Sequence, residues 1–139
     1  MDAQQIEIAD RLHSATIHLL RRVRKVDEAT GLSAARLSAL SVLVFGGPAT
    51  VGALARAEQV SAPTMSRLLS GLERDGYVVR EADEGDARAV RVRATPKGTR
   101  VLQQGRQRRV SELVDLLEGL SSEELRTLGV AADIMERVL

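Results

Sequence analysis

The spacing of the apolar residues changes at Gly76, and this change restricts the fold more than any other feature of the sequence. Before Gly76, and again after Thr95, apolar residues recur every three or four positions, as in amphipathic helices. Between these regions the valine-rich segments YVVREA and AVRVRA flank the turn sequence DEGD. The pattern predicts four helices, a two-stranded hairpin and two further helices, a mainly α fold of the α+β class.

Capping residues mark where these helices begin and end. The first helix is expected over residues 6–28, with Gly31 after it, and the second ends before Gly46-Gly47-Pro48. Pro96 falls in the first turn of the fifth helix, where a missing N–H costs little. The side chains expected to cap the later helices are Ser33, Thr50, Ser61, Thr95 and either Ser121 or Ser122, with Glu124 in the first turn of the last helix.

Composition narrows the class of protein. The 139 residues suffice for one domain, and with a single Phe and a single Tyr the core must be aliphatic, which suits helices. No long uncharged apolar run and no secretory-type leader is visible, so we expect a cytoplasmic protein.

The sequence offers little for catalysis or metal binding. It has no cysteine, and His13 and His18 lie about 140° apart on a helix, so they do not share a metal-binding face. No nucleophile–base set and no phosphate-binding glycine loop is present. We therefore expect no enzyme activity, no cofactor and no metal.

The third and fourth helices have the spacing of a helix-turn-helix. After the small residue Ala55, the apolar residues Val60, Met65 and Leu68 follow at five, ten and thirteen positions. Gln59 occupies the turn position where glycine is usual, which is a departure from the common pattern.

One face of the fourth helix suits the major groove. It is small and polar, and it carries arginines but no carboxylate, as close approach to phosphates and base edges requires. An ordinary solvated helix face is the alternative for this helix taken alone. The residues predicted to contact DNA from this element are Ser61, Ala62, Pro63, Thr64, Ser66, Arg67, Ser70 and Arg74.

The hairpin adds further cations. Side chains alternate along a strand, so Val90 and Val92 are expected to face the helices, and Arg91 and Arg93 the solvent. Arg88 begins this strand near the hairpin tip, and an arginine there can enter a narrow minor groove. The Asp86 carboxylate could pair with its guanidinium, or it could form an Asx-type turn. Asp86, Arg88 and Arg91 are predicted to belong to the DNA-binding site, and a solvated strand face is the alternative for Arg91 and Arg93 taken alone.

The charge is unevenly distributed. The formal net charge is only +1, yet residues 61–109 hold eleven basic and six acidic residues and carry +5. The remaining nine bases and thirteen acids leave the rest at −4. The positive charge therefore collects on the predicted recognition helix, the hairpin and the fifth helix.

The sequence resembles the MarR family of winged helix-turn-helix transcriptional regulators over nearly its whole length. The motifs that carry the resemblance are VSAPTMSRLLSGLERDGYVVR and DARAVRVRATPKG. The second is similar to the family's wing signature, with Ala94 in place of the usual leucine, which removes an apolar contact and lowers the expected wing stability. The resemblance implies that Arg88 enters the minor groove, that Asp86 orients it, and that the helix after Ser61 reads the major groove.

The resemblance also implies how two copies of the chain assemble. Family members are homodimers joined through their first, fifth and sixth helices, and the apolar stripes of the terminal helices here fit that arrangement. We expect a single domain, 1–139, with a DNA-binding part at 33–95 and a helical dimerisation part at 1–30 and 96–139.

The expected function is sequence-specific binding to a pseudo-palindromic duplex operator. The protein would act as a repressor that a small-molecule effector releases, the effector resting on the resemblance alone. The alternative is a winged helix used only for protein contacts, which would favour an apolar or acidic recognition face.

Overall fold

The computed structural model describes residues 1–86 and 88–139 and shows, within them, six α-helices and three short strands. A short 3₁₀ turn, Glu28–Thr30, follows the first helix. The predicted helices and the hairpin are confirmed, with boundaries shifted by a few residues. In chain order the elements are α1 (Ala3–Asp27), α2 (Ala34–Gly46), β1 (Ala49–Thr50), α3 (Val51–Ala57), α4 (Ala62–Arg74), β2 (Val78–Ala82), β3 (Val90–Ala94), α5 (Pro96–Leu117) and α6 (Ser122–Val138).

The structure adds a third strand to the two that the sequence predicted for the wing. The sheet is antiparallel with the order β1-β3-β2, and Ala49 of β1 lies opposite Val92 of β3. The sequence did not predict β1 because this strand spans only two residues, between Pro48 and the helix α3 that Thr50 caps. So short a segment shows no alternation of apolar and polar residues.

Side-chain caps explain where the helices begin. The hydroxyls of the four predicted caps before α2, α3, α4 and α5 each accept a backbone N–H from the first turn. For α6 the cap is Ser121: its Oγ accepts from the N–H of Glu124 at 3.1 Å, and Glu124 Oε2 accepts from the N–H of Ser121 at 2.8 Å. The helix α1 begins earlier than predicted because Asp2 forms a similar capping box with Gln5.

The core lies between α2, α3, α4 and the sheet. Val92 is fully buried there, whereas Val90, expected on the same side, is 43% exposed. Val90 pairs with Ala82 at the end of β2 next to the hairpin loop, so the inward face of β3 is covered only in part. The largest fully buried side chains are Leu40, Leu54, Met65, Leu69, Leu72, Val78 and Val92.

The turn between α3 and α4 has the left-handed conformation that a helix-turn-helix requires. Gln59 has φ of 55°, which makes it the one non-glycine residue with positive φ in the described chain. The N–H of Val60 donates to the carbonyl of Ala55 at 3.0 Å and closes the turn. A side chain in this conformation costs about 1–2 kcal/mol, which is why glycine is usual at such positions.

The terminal helices contrast with this core. Neither α1 nor α6 contains a buried residue within one chain. Many of their apolar side chains are about half exposed or more, including Ile6, Leu12, Leu20, Leu125, Leu128, Ile134 and Val138.

Among the described residues, no single helix has both the length and the apolar character needed to cross a membrane. One pair, Ala3–Thr30 with Ala34–Gly46, meets those two criteria together, and it is bent by 86°.

Candidate nucleic-acid interface

The helix α4 presents its polar side to solvent and its apolar side to the core. Met65, Leu69 and Leu72 are buried, and Leu68 is partly buried against the same core. The predicted contact residues share the opposite side: Ser61, Ala62, Pro63, Arg67, Ser70 and Arg74 are exposed, and Thr64 and Ser66 are partly buried.

The two arginines of α4 differ in their surroundings. Arg74 Nε donates to Asp75 Oδ1 at 3.2 Å, and this hydrogen bond raises the pKa of Arg74 and lowers the pKa of Asp75. Within the part of the chain that the structure describes, Arg67 forms no ion pair, and its side chain is exposed. Arg67 therefore offers the less compensated positive charge of the two.

Asp86 forms an Asx-type turn at the tip of the wing. Its Oδ1 accepts from the backbone N–H of Arg88 at 3.0 Å. No ion pair joins its carboxylate to the Arg88 guanidinium in the described residues. Asp86 thus fixes the backbone from which Arg88 projects, and the exposed Arg88 side chain remains available to a partner.

The other two wing arginines form hydrogen bonds and ion pairs with neighbouring parts of the protein. Arg91 donates to the carbonyl of Pro48 at 3.3 Å and lies 3.6 Å from Asp83 Oδ1. Arg93 Nη2 lies 2.8 Å from Glu81 Oε1 on the neighbouring strand, and their hydrogen bond lowers the pKa of Glu81 and raises that of Arg93. The Arg91 guanidinium thus has partners within the protein, and its contact with DNA stays a prediction.

A second cluster joins the C-terminal end of α4 to α2 and α5. Arg36 packs on Gly71 and lies 3.6 Å from the Asp75 carboxylate. Lys97 Nζ donates to the Asp75 carbonyl at 2.7 Å and lies 4.7 Å from the centre of the Tyr77 ring. These contacts fix the orientation of α4 relative to the start of α5, and the sequence reasoning assigned no role to Arg36.

Arg80 is another residue that the sequence reasoning did not assign to the site. Its Nη2 donates to the carbonyl of Ser66 at 3.0 Å and to Ser70 Oγ at 3.1 Å. The signal in the sequence that points to Arg80 is its place in a strand directly after α4. The wing and the predicted reading face of α4 are thus joined by one guanidinium.

The described residues contain no group of three or more His, Asp or Glu side chains placed to hold a metal ion. A cleft of about 520 Å³ lies beside α1 and α5. It is lined by His18, Arg21, Arg22, Lys25, Val26 and Glu112.

Known proteins share both the sequence pattern and the fold. A MarR family model matches residues 30–89. An uncharacterised HTH-type transcriptional regulator of Mycobacterium leprae is 34% identical over 128 residues, which cover 92% of this chain and 90% of that protein.

Solved structures extend the similarity to the whole chain. A MarR family protein from Bacillus stearothermophilus superimposes with a TM-score of 0.83 at 26% identity, covering 99% of this chain and 96% of that one. A point mutant of S. aureus MepR, solved bound to an oligodeoxyribonucleotide, has the same fold with a TM-score of 0.75 at 20% identity, covering 94% and 96% of the two chains.

Proposed function

Because the chain belongs to the MarR family of winged helix-turn-helix transcriptional regulators, we propose that it is a repressor that binds a pseudo-palindromic operator as a homodimer. The observation that carries this proposal is the shared exposure of the polar face of α4 and of Arg88 on the wing. Short hydroxyl side chains and arginines suit base edges and phosphates in the major groove. An arginine at the wing tip suits the negative potential of a narrow minor groove.

The uncovered terminal helices support the homodimer. A second copy would bury the apolar stripes of α1 and α6 that one chain leaves in solvent. Two-fold symmetry would also repeat the reading helix about one DNA turn away, roughly 34 Å, which matches a pseudo-palindromic site.

The homodimer predicts a particle of twice the 15.0 kDa mass of one chain. Replacing Ile134 of α6 by Asp is expected to shift sedimentation equilibrium toward the monomer, because a charge would enter the subunit interface. Phe45→Asp is the control, since Phe45 is also exposed but lies in the DNA-binding part. A wild-type protein that stays monomeric at micromolar concentration would contradict the homodimer.

Arg88→Ala tests the wing. We expect operator affinity to fall by about 1–3 kcal/mol, or roughly 5- to 150-fold, because the exposed guanidinium would be lost from the minor groove. The measurement is a fluorescence anisotropy titration with a genomic fragment that the wild-type protein selects. Arg11→Ala on α1 removes the same charge far from the wing and should bind normally; equal binding curves for Arg88→Ala and wild type would remove the wing from the mechanism.

The last part of the proposal is that a small-molecule effector releases the protein from its operator. The cleft beside α1 and α5 supports it: Arg22 pairs with Glu112 at 2.7 Å, and Arg21 and Lys25 remain as positive charges that would favour an anionic compound. Capture of genomic fragments by the purified protein, with and without candidate anions, tests this step. An effector lowers the yield of captured operator, whereas unchanged capture with every compound would contradict release by an anion.

A further inference from the structure

The guanidinium of Arg80 lies against the side of the recognition helix α4 that carries Ser66 and Ser70. Arg80 sits in the middle of β2, opposite Val92 of β3, and extends toward the second turn of the helix. Its Nη2 is 3.0 Å from the Ser66 carbonyl oxygen and 3.1 Å from Ser70 Oγ. The Ser70 Oγ is itself 2.9 Å from the same Ser66 carbonyl oxygen. Three polar groups therefore meet within one hydrogen-bonded triangle.

The donor and acceptor roles in this triangle follow from the chemistry of its groups. A guanidinium only donates, so Ser70 Oγ must accept from Arg80. The single hydroxyl hydrogen of Ser70 is then directed to the carbonyl of Ser66. One lone pair of Ser70 Oγ remains, and Ser70 is an exposed residue. Toward a partner outside the protein, Ser70 can accept a hydrogen bond but has no hydrogen left to donate.

Arg80 is held in this place and does not swing freely. Its backbone N–H donates to Glu73 Oε2 at 3.2 Å, and its Nε lies 4.0 Å from Glu73 Oε1. That Nε is buried without a hydrogen-bond partner, and 26% of the Arg80 side chain is exposed. The guanidinium is thus committed to the interior contact between β2 and α4, in contrast to the open Arg67.

We propose that Arg80 is a positioning residue that makes Ser70 read DNA as a hydrogen-bond acceptor only. This inference rests on the proposed function, in which the face of α4 carrying Ser70 enters the major groove. There, adenine N6 and cytosine N4 are donors, whereas guanine O6 and N7 and thymine O4 are acceptors. Ser70 therefore selects adenine or cytosine on the strand that it faces, at one position in each half-site.

The test is selection of operators from a randomised duplex library, followed by binding measurements on single-base variants. Wild type is expected to prefer adenine or cytosine at one position per half-site by about fivefold or more. Arg80→Met removes the donors while keeping an unbranched apolar side chain, and we expect it to abolish this preference without altering the other positions. Ser70→Ala should abolish it at the same position, and adding Arg80→Met to Ser70→Ala should then change nothing further at that position.

The matched control is Arg93→Met, which removes an arginine of the same sheet whose hydrogen bond and ion pair, in the part of the chain that the structure describes, are with Glu81 of β2. It should leave the preference intact. The inference is overturned if Arg80→Met weakens binding equally on all sequences with every preference retained. It is also overturned if Ser70→Ala alters no position, a result that remains decisive should Arg80→Met fail to fold. A wild-type protein that selects no sequence at all would overturn the proposed function itself.

Discussion

Raising the salt concentration from about 50 to about 200 mM is expected to weaken operator binding by about a thousandfold. Each protomer of the proposed dimer offers Arg67, Arg74 and Arg88 on the surface that would face DNA. If these side chains in the dimer release as many counterions as about six phosphate contacts would, the slope of log K against log salt is about −5. Anisotropy titrations at four or five salt concentrations measure this slope directly.

Two variants distinguish an arginine that would contact phosphates from an arginine that pairs within the protein. Arg67→Gln should reduce the steepness of the slope by about two, because the dimer loses two phosphate contacts. The double variant Glu81→Gln, Arg93→Gln removes an internal ion pair without changing the net charge, and its slope should match wild type. An affinity that hardly responds to salt in the wild-type protein would speak against phosphate contacts altogether.

Gly98→Ala is expected to destabilise the folded protein by about 2–4 kcal/mol. Gly98 is buried in the first turn of α5, and a Cβ there would collide with the backbone carbonyl oxygen of Tyr77 and come within 3.1 Å of Leu40 Cδ1. The Tyr77 carbonyl cannot easily retreat, since it accepts from the N–H of Thr95 at 3.0 Å. Urea denaturation followed by circular dichroism gives the change in free energy of unfolding.

Gly46→Ala is the control for that substitution. Gly46 is the last residue of α2, and a Cβ built on it meets no atom within 4 Å. Its stability should equal or slightly exceed that of wild type, because alanine favours the helix. If both substitutions shifted the denaturation midpoint equally, close packing at Gly98 would not be the cause of the loss.

Local signals in the sequence were sufficient for most of the fold. Hydroxyl caps such as Ser61 and Thr95 act within one helical turn, so they can be identified without knowledge of the tertiary structure. The strand β1 could not be found in this way, because only its pairing with Val92 makes it a strand. The conformation of Gln59 was predictable only in part. The spacing of the apolar residues located the turn, and the structure showed that Gln59 adopts the left-handed conformation usual for glycine.

The candidate site was predictable to a lesser extent. Periodicity placed Arg67 and Ser70 on the exposed side of α4, and alternation placed Arg91 and Arg93 on the outer side of β3. The sequence could not show which arginines are occupied by partners within the protein. Arg80 contacts Ser66 and Ser70, which are distant along the chain, so its place follows only from the packing of β2 on α4.

One protomer buries the core but not the apolar side chains of its terminal helices, and this difference makes the proposed dimer depend on the protein concentration. The core between α2 and β3 is buried within one protomer, whereas α1 and α6 contain no buried residue. In the proposed dimer, mass action then links the folding of the terminal helices to the concentration of the protein. Dilution of that dimer would loosen the outer helices and separate the two reading helices, so the number of copies per cell would set the fraction of the protein able to occupy an operator.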